Sequence, residues 1–227
     1  MNFGKAWNEI GGKEAPLGDL PASRWKHPWS THPLSARRLY NTVLWRKPAT
    51  IVETGTFEGL GTYALAKAAQ QNGGARIFTI DYDGDPDASI PIEDWQELRG
   101  FREENLDAAR RAFPDVEIHF VEGDSRSVLP GIFPSKARTW DLFFQDSMHY
   151  ESGIRAEWEI MKAFAAPEAV VIFDDVCLDW EKLPAHIAGK RDFCIGFALK
   201  EGFGGGWNYR STAEGRAQFF ACKSGRD

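Results

Sequence analysis

The feature that most constrains the fold is a repeated pattern of short apolar segments, each of which ends at an acidic residue. Five such segments follow one another from Ala49 to Asp175, and segments with helical periodicity separate them. The predicted strands are Thr50–Val52, Arg76–Ile80, Val116–Val121, Trp140–Phe144 and Ala169–Phe173. Strands that alternate with helices in this way predict a parallel, doubly wound sheet with helices on both faces.

The helices between these strands are predicted from apolar residues that recur every three to four positions. Two of them cover Thr62–Gln71 and Ile92–Phe113, and Pro114 stops the second. A weaker one is predicted over Trp180–Ile187. The most regular helix follows the fourth strand, and its apolar face is formed by Ile154, Trp158, Met161 and Ala165.

The last part of the chain predicts a different arrangement. The apolar runs Phe193–Leu199 and Ala217–Cys222 have no helix between them, and the glycine-rich stretch Gly202–Gly206 lies in the connection. Two such runs predict an antiparallel strand pair at the end of the sheet. The expected fold is therefore an α/β, Rossmann-like, doubly wound and mostly parallel sheet of seven strands with a final antiparallel pair.

The first 48 residues differ from the rest, because they combine tryptophans with several prolines and lack the strand–helix alternation. We expect residues 1–48 to form an irregular arm or lid with one short helix near Ser35–Arg46. Residues 49–227 are expected to form the α/β domain, since a chain of 227 residues suits one sizeable domain of this class.

The composition limits the partners of the chain. The net charge is −6 and the basic residues are scattered, so no nucleic-acid partner is expected, because affinity for phosphates needs clustered Lys and Arg. No apolar run approaches the ~20 residues that span a bilayer, and no signal-peptide pattern is present, so no membrane partner is expected. The three cysteines have no metal-binding spacing, which predicts ordinary thiols in the cytoplasm.

Acidic residues stand at the carboxyl end of every predicted parallel strand. In chain order they are Glu53, Asp81, Asp124, Asp146, Asp174 and Asp175. Ligands of open parallel sheets bind outside this edge. Each acid taken alone is also explained as a helix cap or a turn residue. A full set at one edge is strongly negative, and it predicts a cation or a polar ligand that offsets the repulsion.

The connection after the first strand contains three closely spaced glycines. Glu53–Thr62 reads ETGTFEGLGT, a GxxxGxG pattern. A nicotinamide site would favour GxGxxG with a pyrophosphate at the helix N-terminus. Glu53 and Glu58 would repel a pyrophosphate but suit a cationic ligand, and S-adenosylmethionine carries a sulfonium and an ammonium group. The pattern thus disfavours a nucleotide-dependent oxidoreductase.

The segment Glu53–Thr62 resembles the first motif of class I methyltransferases, which use S-adenosylmethionine, and its E-x-G-x-x-x-G form is typical of metal-dependent O-methyltransferases. The order and spacing of the motifs agree with that family from Ala49 to Val176. By this resemblance the glycine loop lines the methionine part of the cofactor, Asp81 binds the ribose and Gly123–Ser125 flanks the adenine. The residues implied to bind the cofactor are Glu53, Gly55, Thr56, Gly59, Gly61, Asp81, Asp124, Ser125 and Asp146.

A metal site is predicted from Asp146, Asp174 and Asp175, which end two strands that a doubly wound sheet places side by side. We expect the three carboxylates to converge, and Mg²⁺ prefers oxygen ligands of this kind. The alternative is that they cap the neighbouring helices. The arrangement resembles catechol O-methyltransferases and macrocin-type sugar O-methyltransferases, in which acids at these positions hold the metal. The resemblance implies O-methylation of a vicinal diol, a catechol or a sugar.

A general base is predicted in the segment Gln145–Glu151, which resembles the DGDHSYE segment of a broad bacterial methyltransferase group. It departs from that pattern at Gln145, Ser147 and Met148. The resemblance implies that His149 is the base, and an imidazole accepts protons near neutral pH. The alternative is that His149 contacts the cofactor without acting as a base.

Two further functions are compatible with the sequence: a metal-independent N- or C-methyltransferase, and a non-catalytic cofactor-binding protein. The expected partner is a small-molecule acceptor, and the aromatic arm makes a homodimer possible. The acceptor pocket is expected to form from the arm and from Gly202–Trp207. Trp25, Trp29 and Trp207 are its candidate stacking residues, with core packing as the alternative.

Overall fold

The computed structural model describes residues 31, 33–82, 92–133, 139–147, 150–177, 193–194, 203–208 and 216–223. Helices and strands alternate through most of these residues. The helices are α1 (Pro33–Arg46), α2 (Leu60–Gln71), α3 (Ile92–Ala112), α4 (Ser125–Ile132) and α5 (Glu151–Met161), and a 3₁₀ helix covers Lys162–Phe164. The strands are β1 (Thr50–Thr54), β2 (Ala75–Asp81), β3 (Val116–Glu122), β4 (Trp140–Gln145), β5 (Ala165–Cys177), β6 (Phe203–Asn208) and β7 (Arg216–Lys223).

The seven strands form one sheet in the order β3-β2-β1-β4-β5-β7-β6. β4 pairs in parallel with β1 and β5, whereas β7 pairs antiparallel with β5 and β6. The chain reverses its direction of travel across the sheet between β1 and β4, and this switch point is where open α/β sheets bind ligands. The predicted seven-stranded, mostly parallel sheet with a final antiparallel pair is confirmed.

The prediction of a strand over Phe193–Leu199 is wrong at Phe193 and Cys194, the two of its residues that the structure describes. Phe193 and Cys194 are helical, and the strand beside β7 is β6, which consists largely of the glycine-rich stretch expected to be a connection. Glycine has little intrinsic preference for strands. Here the pairing with β7 extends through all six residues of β6, so the neighbouring strand decides the structure rather than local propensity.

Two boundaries around β5 also differ from the prediction. Ala165 was expected on the apolar face of a helix, but α5 ends at Met161 and Ala165 begins β5. The strand also continues past Phe173 to Cys177, and this extension contains a bulge. Its register with β7 passes from Phe173↔Phe219 to Val176↔Ala217, so two residues of β5, Asp174 and Asp175, lie opposite the single residue Gln218.

The described residues divide into two compact units. The first holds α1, α2, α3 and most of β2 and β3, and the second holds the remaining strands, α4, α5 and the carboxyl ends of β2 and β3. In the first unit Leu39 and Val43 of α1 are fully buried, and the Val43 carbonyl accepts a hydrogen bond from the Asn72 amide side chain (2.7 Å). The helix near Ser35–Arg46 is therefore confirmed, and it contributes to the core of this unit.

The core of the second unit is built around two tryptophans. Trp140 of β4 and Trp158 of α5 meet edge to face with ring centroids 6.3 Å apart, and the Trp140 indole donates to the Met161 carbonyl (2.7 Å). In the part of the chain that the structure describes, no helix has both the length and the apolar character to cross a membrane. Residues 1–30, with Trp25 and Trp29, lie outside the described residues, and the division into arm and domain stays a prediction.

Candidate active site

The carboxyl ends of β1, β2, β3 and β4 are joined to one another by backbone hydrogen bonds. In each case the donor is the first residue after a strand and the acceptor belongs to the end of the neighbouring strand. The three bonds, each 2.8 Å long, run from the Gly55 amide to the Ile80 carbonyl, from Gly123 to Asp81 and from Asp146 to Thr54. The strand ends therefore bring the predicted site positions 55, 81, 123 and 146 into one row along the switch-point edge.

Gly55 lies where two segments of the second unit approach each other closely. Its φ is 89°, and an added Cβ would lie 2.5 Å from the Asp146 carbonyl oxygen and 2.8 Å from the Ser147 nitrogen. Both are backbone atoms, so no rotation of a side chain would relieve the clash. The turn after β4 thus requires glycine at position 55 for two reasons, the left-handed φ and the lack of space.

Two predicted cofactor ligands, Asp81 and Asp124, keep part of their surface exposed. Oδ1 of Asp81 accepts a hydrogen bond from the Tyr82 amide (2.8 Å). Asp124 caps α4, because its Oδ1 accepts from the Arg126 amide (2.9 Å), and its carboxylate also pairs with the Arg126 guanidinium (2.5 Å). The Arg126 hydrogen bond holds the pKa of Asp124 below its usual range, so this carboxylate is ionised at neutral pH.

A buried carboxylate stands behind the strand ends of the second unit. Glu157 of α5 is 0% exposed, and it accepts hydrogen bonds from the side chains of four residues that flank those ends. We call this group the Glu157 cluster: Glu157 with Thr54, Ser125, Gln145 and Ser147. Ser125 was predicted to flank the adenine, and the structure directs its hydroxyl to Glu157.

The part of the glycine connection in the first unit is held by hydroxyl groups. Thr56 Oγ1 lies 2.6 Å from Thr79 Oγ1, and Thr62 Oγ1 lies 3.2 Å from the same atom. We call these three buried residues the threonine cluster. The Asn105 side chain of α3 donates to the Glu58 carbonyl (2.7 Å), which fixes the loop backbone. Gly59 caps α2 in the left-handed conformation (φ 79°), and Gly61 is buried in its first turn.

The expected metal ligands do not assemble. Asp174, which is 4% exposed, lies in the bulge of β5, and its Oδ1 accepts a hydrogen bond from the Asp175 amide (2.9 Å). Among the described residues, no group of three or more His, Cys, Asp and Glu side chains could hold a metal ion. Asp146, Asp174 and Asp175 therefore do not form such a group, and Asp174 and Asp175 lie within β5 instead of beyond its end.

His149, the predicted base, lies outside the described residues, so its role stays a prediction. Sequence reasoning missed Glu157, although a signal was present. Ile154, Trp158 and Met161 predict the buried face of α5, and position 157 falls on that same face at a spacing of three from Ile154. An acid at a core position of an amphipathic helix indicates a buried polar group with partners.

A mostly parallel seven-stranded sheet in this order, with glycines and acids at the switch-point edge, defines the Rossmann-like fold of class I methyltransferases. The methyltransferase domain family matches residues 52–176, which is more than half of the chain. The chain belongs to this family.

Several solved structures share the fold over nearly the whole chain. The O-methyltransferase TomG from Streptomyces achromogenes, solved with SAM, is 20% identical with a TM-score of 0.67, and the match covers 98% of this chain and 99% of TomG. An O-methyltransferase from Bacillus cereus, solved with SAH, is 19% identical with a TM-score of 0.65 over 96% and 90%. A putative caffeoyl-CoA O-methyltransferase from Staphylococcus aureus is 15% identical with a TM-score of 0.62 over 85% and 84%. No curated protein sequence matches significantly.

Proposed function

We propose that the chain transfers the methyl group of S-adenosylmethionine to a hydroxyl of a small-molecule acceptor. One observation carries the proposal: the row of strand ends at the switch point, where Gly55 approaches the Asp146 carbonyl so closely that no side chain fits between them. Such a side-chain-free edge, flanked by Asp81 and Asp124, suits a ligand that is cationic at one end and rich in hydroxyls at the other. Membership of the methyltransferase domain family supports the same reading.

The choice of oxygen as acceptor is supported by the named functions of the structural neighbours. TomG and the Bacillus cereus protein are both O-methyltransferases, and both were solved with SAM or its product SAH. In the proposed reaction the acceptor oxygen bonds to the methyl carbon while the carbon–sulfur bond breaks. The electron pair of that bond stays on sulfur, which leaves S-adenosylhomocysteine, and the hydroxyl proton passes to a base. S-adenosylmethionine, when bound, supplies the activated methyl group.

Several residues have distinct parts in this proposal. The Asp81 carboxylate at the end of β2 would accept hydrogen bonds from the ribose hydroxyls, and Asp124, ionised beside Arg126, would stand next to the adenine. The segment around Gly55 would line the methionine part. His149 is proposed as the base that takes the acceptor proton.

A magnesium-dependent form of the reaction, with a vicinal diol, catechol or sugar as acceptor, is a separate proposal supported by the sequence positions of Asp146, Asp174 and Asp175. Because the described carboxylates do not assemble into a metal-holding group, no step of the reaction is assigned to a metal here. Turnover that EDTA abolishes and Mg²⁺ restores would support this form. Turnover that survives EDTA would favour the metal-independent form.

Isothermal titration with S-adenosylmethionine tests the proposal directly. We expect saturable binding by the wild type and about tenfold weaker binding by Asp81→Ala, since a lost charge-assisted pair of hydrogen bonds is worth about 1.5–3 kcal/mol. Asp107→Ala on the exposed side of α3 is the matched control and should bind like the wild type. Binding without formation of S-adenosylhomocysteine across a panel of phenols, catechols and sugars would favour a non-catalytic cofactor-binding protein. No binding at all would refute the proposal.

A further inference from the structure

Glu157 occupies a position where an acid is costly. It lies on the buried face of α5 beside Ile154 and Trp158, and all three side chains are 0–1% exposed. Transfer of a carboxylate from water to a protein interior is strongly unfavourable unless hydrogen bonds replace the lost hydration. A glutamate at this position therefore needs hydrogen-bond partners, which a leucine would not need.

Both carboxylate oxygens of Glu157 accept hydrogen bonds from side chains. Oε1 accepts from the Ser125 hydroxyl and from the Ser147 hydroxyl (2.6 Å). Oε2 accepts from the Gln145 amide (3.0 Å) and from the Thr54 hydroxyl (3.4 Å). Four neutral side-chain donors thus share the two oxygens of one carboxyl group.

The four donors come from three places: the end of β1, the end of β4 with the turn after it, and the start of α4. Thr54 is the last residue of β1, Gln145 is the last residue of β4, Ser147 lies in the turn after β4, and Ser125 is the first residue of α4. Each one is next to, or within two residues of, a predicted cofactor position, namely Gly55, Asp146 or Asp124. Glu157 thus bonds to Ser125, which is itself a predicted cofactor residue, and to three residues that adjoin predicted cofactor positions.

The link to Ser147 has a specific geometric consequence. The turn of Asp146 and Ser147 faces Gly55 with so little room that an added Cβ would meet three of its backbone atoms at 2.5–2.8 Å. The Ser147 hydrogen bond to Glu157 holds this turn in place, and the Asp146 amide bond to the Thr54 carbonyl holds it from the other side. A shift of about 1 Å in the turn would open or close the approach between Gly55 and Asp146, and displacements of that size change binding and catalysis strongly.

We infer that Glu157 is a positioning residue of the cofactor site, which sets the spacing between Gly55 and the Asp146–Ser147 turn through its four hydrogen bonds. The inference rests on the proposed function, since it concerns the site in which S-adenosylmethionine would bind. It also explains Gln145 and Ser147, the two departures from the DGDHSYE pattern that the structure describes. Both of them donate to Glu157.

Positioning and charge make different predictions for Glu157→Gln. The glutamine oxygen would accept from Gln145 and Thr54, while its NH₂ group would donate to Ser125 and Ser147, whose hydroxyls can accept as well as donate. All four links would then persist without the negative charge. If Glu157 acted instead by attracting the sulfonium, the glutamine variant would lose affinity for S-adenosylmethionine but much less for S-adenosylhomocysteine, which has no sulfonium charge.

The experiment is calorimetric titration of both ligands into the full-length wild type and four variants. Glu157→Gln should bind both ligands within about threefold of the wild type, and Glu157→Leu should bind both at least about tenfold more weakly. Ser147→Ala, which cuts only the link to the turn, should weaken both by several-fold. Glu159→Gln, an exposed residue of the same helix paired with Lys162 (2.7 Å), should leave both affinities unchanged.

Two results would overturn the inference. One is wild-type affinity in a folded Glu157→Leu or, if that variant does not fold, wild-type affinity in Ser147→Ala. The other is a Glu157→Gln variant that loses S-adenosylmethionine selectively and keeps S-adenosylhomocysteine. Absence of binding by the wild type is a different result, because it refutes the proposed cofactor site itself. The titration of the wild type therefore separates a failure of the proposed function from a failure of this inference.

Discussion

The threonine cluster of the first unit and the Glu157 cluster of the second unit support adjacent parts of one connection with different chemistry. Thr56, Thr62 and Thr79 are neutral hydroxyls, each of which can donate or accept, so the loss of one bond leaves alternatives. Glu157 accepts from four donors, which converge on its two oxygen atoms. The first arrangement tolerates reorientation, whereas the second depends on one residue.

The two ends of the glycine connection show the same contrast. Gly55 and Gly59 both have a left-handed φ, 89° and 79°. Around Gly55 the nearest atoms belong to the backbone of the turn after β4, whereas around Gly59 they are the side chains of Leu106 and Asn105 at 3.5–3.6 Å. Backbone held by a buried polar cluster cannot retreat, but side chains at van der Waals distance need not move. Position 55 therefore excludes any side chain, whereas position 59 leaves ordinary van der Waals room for a Cβ.

The largest expected effect distinguishes these two glycines. Gly55→Ala should lower the free energy of unfolding by about 3 kcal/mol or more, because it adds a backbone clash to the cost of a left-handed alanine. Gly59→Ala should cost about 1–2 kcal/mol, the conformational term alone. Urea unfolding of both variants measures the difference. Equal losses would show that the close backbone approach at Gly55 adds nothing to the conformational cost.

The next effect tests the threonine cluster. Thr79→Val keeps the shape of the side chain and removes the oxygen that Thr56 and Thr62 share, so the free energy of unfolding should fall by about 1–2 kcal/mol. Because the two remaining hydroxyls can seek other partners, affinity for S-adenosylmethionine should change by less than about threefold. Thr50→Val in β1, whose backbone amide rather than side chain bonds Asp141, provides a comparison. A tenfold loss of affinity in Thr79→Val would show that cofactor binding depends on the threonine cluster as strongly as on the Glu157 cluster.

The elements that local patterns determine were predictable from the sequence. Apolar runs ending in Glu53, Asp81 and Asp146 predicted the parallel strands and the edge where the site lies. The bulge at Asp174 and Asp175 was not predictable, because it depends on the register with β7, a strand about forty residues later. The same holds for β6, whose glycines pair only because β7 lies beside them.

The site was predictable as a set of positions and not as a set of contacts. The acids were found because residues that follow strands meet at one edge. Glu157 was not predictable as a buried acceptor, because an acid on a helix is usually solvated and its donors come from three separate stretches of the sequence. The metal prediction assumed that the carboxylates after β4 and β5 extend freely beyond the sheet. In the structure Asp174 and Asp175 lie within β5, and the Asp175 amide donates to Asp174 Oδ1.

A smaller change in the free energy of unfolding, of opposite sign, is expected at Gln218. This buried side chain differs from Glu157 because it lacks hydrogen bonds in the described part of the chain. Gln218 is 1% exposed, and in the described part of the chain neither atom of its amide has a hydrogen-bond partner. Gln218→Leu should therefore raise the free energy of unfolding by about 1 kcal/mol. The urea midpoint should increase with an unchanged slope. A loss of stability would show that the amide is bonded in solution, for example to water.

The smallest expected effect concerns Arg126, which links the cap of α4 to pH. Its hydrogen bond to Asp124 lowers the folded-state pKa of that carboxyl below the ordinary value of 3.8. A lowered folded pKa contributes stability that is present above the unfolded pKa and is lost as the pH falls through the folded pKa.

Arg126→Gln should lower the free energy of unfolding by about 0.5 kcal/mol at pH 7, since the ion pair is largely exposed and screened. The Asp124 cap of the Arg126 amide would remain. The difference from the wild type, measured by urea unfolding, should narrow as the pH falls below 3.8. A gap that stays constant down to acid pH would show that Arg126 does not act through the charge of Asp124.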